Sequence, residues 1–236
     1  MTVRVGGWGA LAIAASITVL GAAIEGPPAA AGPAPPSGNA PPSGLLSGAA
    51  VHGTAIDPVF AHAKLERLAC KFSEEKHIAL LARPLRSTGT ITFERSSGIA
   101  RATLSPRAEQ VVLTTTSLRI RKDNRTEEIP LDKSKDLKAF ALIFPTLLRG
   151  DRTELERAFE IGLYGSDRDW WALTFTPKTD SLRALVRRVV VFGKKAELVA
   201  LQVTEASGDI TDTHLTDIRT NGKVSDAEIA TAFGAS

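Results

Sequence analysis

Residues able to take part in acid–base or nucleophilic catalysis are few in this chain of 236 residues, which contains four His and one Cys. The run at 74–77 (Glu-Glu-Lys-His) imitates an acid–base pair but is more typical of a charged helix end. His52 and His62 lie in or near the Pro- and Gly-rich segment that ends at residue 53, and His214 is far from the other histidines in the sequence. The motifs G-x-S-x-G, H-E-x-x-H, G-x-x-x-x-G-K-S and C-x-x-C are absent from the sequence. The chain is therefore not predicted to be an enzyme, and no catalytic residue, metal site or cofactor is expected.

The single cysteine, Cys70, leaves no possibility of a disulfide within the chain. The domain must therefore be held together by core packing. Cys70 lies among Leu65, Leu68 and Phe72, whose spacing is typical of the apolar face of a helix. A buried thiol is predicted, with a reactive thiol as the alternative.

Residues 1–31 have the pattern of a secretory signal peptide. Arg4 precedes an apolar stretch of small residues at 8–24, and three alanines follow at 29–31. A retained membrane anchor is the alternative, since about 17 to 20 apolar residues just cross a bilayer. The dominance of Ala, Gly and Ser favours cleavage and export to the periplasm. Residues 32–53, rich in Pro, Gly, Ser and Ala, predict a flexible linker.

The remaining part, residues 54–236, is long enough for one globular domain. The whole chain carries a net charge of +3, with Lys and Arg interspersed among acidic residues. This charge is too small and too mixed for a typical nucleic-acid-binding protein, so no nucleic acid partner is expected.

Hydrophobic periodicity divides the domain into a helix, strands, a helical interruption and further strands. Asp57 and Pro58 are typical of a helix N-terminus, and apolar residues at helical spacing extend the first helix to about Ile78. Short runs rich in Thr, Val and Ile then predict strands at 89–95, 99–104, 110–116 and 118–122. Residues 96–98 and 123–124 are predicted hairpin turns.

The pattern becomes helical again at 134–159, with Pro145 as a predicted break and a second short helix from Asp151. Further strands are predicted at 160–164, 169–176, 186–192, 197–204 and 209–217. Their close spacing leaves no room for crossover helices, so antiparallel pairing is predicted, in a strongly curved sheet or barrel. Two interpretations remain open: the helical insert covers an apolar interior, or it completes an α+β core.

Three short motifs follow one another along the domain. Residues 72–75 (FSEE) come first, and residues 89–95 (GTITFER) lead through a turn and a second strand to Pro106. Residues 173–178 (LTFTPK) stand at a later strand end. In this order they resemble the LolA family of periplasmic outer-membrane lipoprotein carriers. That family has Phe-x-Gln at the end of its first helix, a Gly-strand-Arg-turn-strand-Pro pattern and a Leu-x-Pro-Lys strand end. The helical insert falls where the family has its lid.

The resemblance implies an α+β fold: a half-open, strongly curved antiparallel β-barrel of about nine to eleven strands, covered by an N-terminal helix and a helical lid. Its interior receives acyl chains. Alternation along the strands does not show which face is turned inward. The residues predicted to line the lipid-binding interior are apolar residues of the strands and the lid: Ile91, Phe93, Ile99, Leu113, Leu118, Phe140, Ile143, Phe144, Leu147, Trp171, Leu173 and Phe175.

Arg95 matches the strand-end Arg with which the family holds its lid closed, through bonds to backbone carbonyls. The resemblance implies that this contact breaks when lipid enters and re-forms on release, with a solvated strand-end Arg as the alternative. Two positions depart from the family pattern. Arg101 replaces an aromatic residue of the second strand, and residues 73–74 (Ser-Glu) depart from Phe-x-Gln.

The function implied is that of a monomeric periplasmic carrier. It shields the acyl chains of lipoproteins or related lipids and carries them from the inner to the outer membrane. An inner-membrane exporter is the implied donor and an outer-membrane protein the implied acceptor. The alternative is a LolA-like lipid-binding accessory or sensor of a membrane exporter, with a glycolipid or polyene-lipid cargo.

Overall fold

The structure of the protein, a computed structural model, describes residues 41–165 and 169–234. The predicted signal peptide and the first part of the predicted linker lie outside the described residues. Within them the chain forms an α+β fold.

Antiparallel strands form one large sheet. They are β1 (Arg67–His77), β2 (Leu85–Glu94), β3 (Gly98–Ser105), β4 (Glu109–Leu113), β5 (Ser117–Lys122), β6 (Arg125–Pro130), β7 (Phe159–Tyr164), β8 (Trp170–Pro177), β9 (Val186–Lys194), β10 (Glu197–Glu205) and β11 (Ile210–Thr220). Their order across the sheet is β6-β5-β4-β3-β2-β1-β11-β10-β9-β8-β7. The sheet is curved and not closed, so the prediction of a half-open antiparallel barrel with nine to eleven strands is confirmed.

The helices lie before the first strand, between β6 and β7, between β8 and β9, and after the last strand. They are α1 (Asp57–His62), α2 (Lys135–Ala141), α3 (Ile143–Leu148), α4 (Arg152–Ala158), α5 (Asp180–Arg183) and α6 (Asp226–Phe233). Helices α2, α3 and α4 connect β6 to β7 and are together called the insert. Ser134 caps α2 by accepting from the Leu137 N–H, and Asp151 caps α4 by accepting from the Glu154 N–H. The predicted helical interruption is confirmed.

The break within the insert falls earlier than predicted. Leu142 separates α2 from α3, and Pro145 is the third residue of α3. Backbone N–H groups in the first turn of a helix have no partner within the helix, so Pro145 removes no hydrogen bond there.

The predicted first helix is wrong beyond His62. α1 begins at Asp57, but the chain then enters β1, so residues 74–77 belong to a strand and not to a charged helix end. Cys70 and Phe72 are buried in the strand because alternate residues share one face. β1 is paired along its length with β2 and β11, which favours the extended form over a helix.

The strand β6 and the helices α5 and α6 were also not predicted. β6 follows the two-residue turn Asp123-Asn124, whose φ values of 48° and 60° are typical of a type I′ hairpin. α6 begins with a capping box between Ser225 and Glu228 and ends at Gly234 in the left-handed region. The hairpin turn itself is confirmed, but the polar strand after it carries no hydrophobic alternation.

The described part of the predicted linker 32–53 is packed and not free. Leu45 and Leu46 contact an apolar cluster on the convex face of the sheet that includes Phe192. Val51 forms two backbone hydrogen bonds with Leu163, of 2.8 and 2.9 Å, at the edge of the sheet formed by β7. From residue 41 onward this segment therefore belongs to the folded domain.

The main hydrophobic core lies between the concave face of the sheet, the insert and α1. Its fully buried side chains include Phe93, Phe159, Phe175, Leu147, Leu148, Leu173 and Leu215. The helix α6 packs on the opposite, convex face through Ile229, which contacts Ala69 and Val224. The concave side is thus the one with space for a ligand beneath the insert.

Candidate functional site

An apolar cavity of about 140 Å³ lies between the concave face of the sheet and the insert. Its lining residues are Glu74, Ile91, Ile99, Arg101, Val111, Leu113, Leu118, Phe140, Ala141, Ile143, Phe144, Pro145, Val189, Leu201, Val203 and Thr213. The sheet supplies one wall and α2 and α3 supply the other. Such a site binds by excluding water from apolar surface.

The sheet wall is built from rows of residues paired across adjacent strands, which share a face. One row runs Phe93–Ile99–Leu113–Leu118 across β2, β3, β4 and β5. All four were predicted lining residues. Their shared face is the concave one, since Ile99, Leu113 and Leu118 line the cavity beneath the insert.

The next row runs Ile91–Arg101–Val111 across β2, β3 and β4. It places the charged Arg101 between two apolar residues on the cavity wall.

The predicted lining residues fall into three places. Seven of them line this cavity: Ile91, Ile99, Leu113, Leu118, Phe140, Ile143 and Phe144. Phe93, Leu173 and Phe175 are fully buried in the core. Leu147 and Trp171 line a second cavity of about 550 Å³.

The second cavity lies near α1 and the start of β8, and its wall is more polar than that of the first. The Trp171 indole N–H donates to the Lys195 carbonyl at 2.7 Å, which fixes the ring against the cavity. Leu147 of α3 lies on the wall of this cavity, whereas Ile143 and Phe144 of the same helix line the first. α3 therefore contributes to both.

Several lining residues were missed by the sequence reasoning. Val111, Leu201 and Val203 were identifiable from strand alternation once one inward residue on each strand was known. Glu74, Arg101 and Thr213 gave no such signal, because polar side chains are not expected on an apolar wall.

Glu74 and Arg101 form a buried ion pair on the cavity wall. The Arg101 Nη2 lies 3.1 Å from Glu74 Oε1. The Arg101 side chain is only 7% exposed and that of Glu74 only 6%. The hydroxyls of Ser87 and Thr213 donate to the two carboxylate oxygens of Glu74 at 3.2 and 3.1 Å. The Arg101 guanidinium also lies 4.1 Å from the centre of the Phe72 ring, a cation–π contact. The two departures from the family pattern are thus partners in space.

Arg95, at the turn after β2, reaches the insert. Its two terminal nitrogens donate to the Arg149 carbonyl at 3.3 and 3.4 Å, at the C-terminal end of α3. Its Nε lies 2.8 Å from a carboxylate oxygen of Glu66, which is mostly exposed. Arg95 is therefore placed to tie the sheet to the insert through a backbone carbonyl.

Cys70 is 5% exposed on β1, so the prediction of burial is confirmed although the helix on which it was based is wrong. Burial raises the pKa of its thiol to about 12. The thiolate is the reactive form, so this thiol has little reactivity near neutral pH.

Among the described residues, no group of three or more His, Cys, Asp and Glu side chains is placed to hold a metal ion. His77 has Glu75 as a distant neighbour at 3.8 Å, and His52 contacts the Ile161 carbonyl at 2.9 Å. In the part of the chain covered by the structure, no helix is both long and apolar enough to cross a membrane.

The sequence profile of the family described as "Outer membrane lipoprotein carrier protein LolA-like" matches residues 47–235. The match covers most of the chain, including the insert and the eleven strands found among the described residues. No match was found among curated protein sequences.

Solved structures with a similar fold include a LolA superfamily protein from Nitrosomonas europaea, with 10% identity, a TM-score of 0.40 and coverage of 72% of this chain and 94% of that one. A DUF1329 family protein from Desulfovibrio piger has 12% identity, a TM-score of 0.42 and coverage of 74% and 95%. The MucA/MucB complex of Pseudomonas aeruginosa contains a chain with 16% identity, a TM-score of 0.38 and coverage of 73% and 58%.

Proposed function

Because the chain belongs to the family of LolA-like outer membrane lipoprotein carrier proteins, we propose that it is a carrier that holds the acyl chains of a lipid or lipoprotein in the cavity beneath the insert. The composition of the cavity wall supports this proposal most strongly, since thirteen of its sixteen lining residues are apolar. Acyl chains are bound by removal of apolar surface from water, at roughly 0.8 kcal/mol per CH₂. No reactive group is needed, so the proposed activity is binding and not catalysis.

The cavity must enlarge to accept a chain. Its volume of about 140 Å³ is below the roughly 300 to 1,000 Å³ of ordinary ligand pockets. Ile143 and Phe144 close it on one side of α3, and Leu147 of the same helix lines the second cavity. Movement of α3 away from the sheet is therefore the step proposed to admit cargo.

Arg95 is proposed to hold the closed state. Its contact with the Arg149 carbonyl fixes the end of α3, the helix that must move. A guanidinium remains charged and donates two bonds to one carbonyl, which suits a contact that must break and re-form. Loss of this contact on loading and its recovery on release is the proposed lid switch.

The route proposed for the cargo is from an inner-membrane exporter to an outer-membrane acceptor, through the periplasm, by a monomeric carrier. The family's description as outer membrane lipoprotein carriers and the signal-like sequence at residues 1–31 support this route. The alternative cargo is a glycolipid or polyene-lipid handled beside a membrane exporter. The charged pair on the cavity wall favours a cargo with a polar group over a plain acyl chain.

Binding of a fluorescent fatty acid to the purified domain tests the carrier proposal. The native protein should bind the probe without added metal or cofactor. Ile99→Asn, which places an amide on the cavity wall, should weaken binding at least tenfold. Leu104→Asn on the same strand is the matched control, because Leu104 is 67% exposed and should leave binding unchanged. No binding by the native protein, or equal loss in the two variants, would show that the cavity is not the lipid site.

A further inference from the structure

We propose that Glu74 and Arg101 form a polar subsite in the cavity that binds an uncharged, hydroxyl-bearing group of the cargo. The hydroxyl belongs either to a sugar head group or to a hydroxylated acyl chain. This inference deepens the proposed carrier function and rests on it. Both side chains line the cavity and both are more than nine-tenths buried, so a ligand in the cavity meets them out of contact with bulk water.

The geometry of the subsite is set by the strand between its two members. Glu74 lies on β1 and Arg101 on β3, and the guanidinium spans β2 to reach the carboxylate at 3.1 Å. A Cβ at Gly89 of β2 would clash with the Ala102 carbonyl and with the Phe72 ring, so glycine at this position leaves room for the ring on which Arg101 stacks. The pair is thus held by the register of three strands and by stacking, and not by a flexible loop.

Burial of a charged pair on a cavity wall costs free energy that binding of an acyl chain alone does not require. Taking two charges out of water carries a desolvation cost, and replacement of such a pair by apolar residues of similar volume is often neutral or stabilising. Leu113 and Leu118 supply the apolar wall without that cost. The position of the ion pair on the cavity wall therefore indicates polar recognition.

The balance of charges favours a neutral hydroxyl over an anionic group. Glu74 and Arg101 cancel, and the next pair on this face, Lys76 and Glu205 at 2.7 Å, cancels as well. An anionic head group attracted by Arg101 is repelled by Glu74 beside it. A hydroxyl accepts a hydrogen bond from the guanidinium and donates one to the carboxylate.

A second observation points to the same chemistry. The Thr103 hydroxyl lies two residues after Arg101 on the same face of β3, and it is buried without a hydrogen-bond partner among the described residues. Buried hydroxyls are normally paired. Thr103 does not itself line the cavity, so only a polar group of the cargo that extends from Arg101 along β3 would pair with this hydroxyl.

Displacement of a bound fluorescent fatty acid by matched competitors tests the proposal. One arm compares stearic acid with its 12-hydroxy derivative, and the other compares dodecyl glucoside with dodecyl phosphate. The hydroxylated member of at least one pair should compete about tenfold better, equivalent to about 1.4 kcal/mol, and that arm identifies the source of the hydroxyl. Equal competition in both arms overturns the polar subsite, and so does a preference for dodecyl phosphate without a preference for 12-hydroxystearic acid. Displacement of the probe by stearic acid then leaves the carrier function standing. Failure of every competitor and of the probe to bind overturns both.

Variants of the pair assign the preference to these residues. The double variant Glu74→Leu with Arg101→Leu removes both charges together, and its preference for the hydroxylated competitor over the unhydroxylated one should fall to about twofold or less. Lys76→Met with Glu205→Leu removes the neighbouring ion pair, which does not line the cavity, and should retain the preference. Arg101→Lys keeps the charge without the planar guanidinium and should give an intermediate preference. This variant still tests the assignment if the double variant does not fold. A preference that persists in both Arg101 variants would contradict the assignment.

Discussion

Cys70 lies on β1 opposite Ile91, inside the main core and away from the lining of either cavity described above. Truncation to alanine removes one buried sulfur, so Cys70→Ala should lower the free energy of unfolding by about 1 to 2 kcal/mol and leave acyl-probe binding unchanged. Chemical denaturation and the probe titration measure the two effects. Rapid labelling of the folded protein by iodoacetamide at pH 8 would contradict the buried thiol.

The same thiol gives a pH dependence of known sign. The unfolded chain loses the thiol proton near its ordinary pKa, whereas burial raises the pKa in the folded protein to about 12. The folded state therefore binds more protons in this window. The stability of the native protein should fall relative to Cys70→Ala as pH rises from about 9 toward 12. Parallel curves for the two proteins would show that the pKa is not raised.

At the same scale, the sequence located Arg101 and Glu74 only as departures from a family pattern. Their meeting depends on the register of β1, β2 and β3, and a shift of one residue would turn either side chain to the convex face. Arg95 was easier to identify from the sequence, because its position between a strand end and a turn is a local feature. Its partner, the Arg149 carbonyl, could not be named, since the end of α3 depends on where the insert breaks.

At the scale of elements, the insert is the part proposed to move, and Arg95 bonds to its Arg149 carbonyl. Arg95→Leu removes the bonds to the Arg149 carbonyl from the closed state and should leave the loaded state little affected. The variant should load lipid readily and release it about tenfold more slowly, with Arg95→Lys intermediate. Transfer of a fluorescent lipid from the purified carrier to acceptor vesicles measures the release rate.

Arg187 provides a matched control for Arg95. It also donates two bonds to a backbone carbonyl, that of Ala206 at 3.1 and 2.8 Å, but it lies on β9 away from the insert. Arg187→Leu should therefore retain the native release rate. A native release rate in Arg95→Leu, or equal slowing in the two variants, would show that Arg95 is a structural strand-end residue and does not control release.

Local sequence signals were sufficient to predict most strands and the insert. They failed where the spacing of apolar residues fits both a helix and a strand. The spacing of Cys70 and Phe72 fits both a helical face and an alternating strand. The segment forms a strand because it pairs with β2 and β11. β6 is mostly polar, with Ile129 as an exception, and shows no hydrophobic alternation because its side chains are mostly exposed. The segment holding Leu45 and Leu46 has a linker composition, and only the apolar cluster on the convex face makes it part of the fold.

At the scale of the whole molecule, the curvature of one sheet and the position of the insert create the proposed function. The concave face is apolar along the row from Phe93 to Leu118, and it becomes polar toward Glu74 and Lys76. Cargo with an acyl chain and a polar group matches this gradient. The convex face is instead covered by α6 and by the segment at 41–47.

The central claim, that acyl chains occupy the space between the concave face and the insert, is tested most directly by photo-crosslinking. A diazirine-labelled fatty acid is bound to the native protein and irradiated, and the labelled residues are identified by mass spectrometry. A fatty acid bound in this space should label Ile143 and Phe144 on the insert and Ile99 and Leu113 on the facing strands. Labels confined to the convex face around Phe192, or to the exposed turn at Leu80, would contradict it.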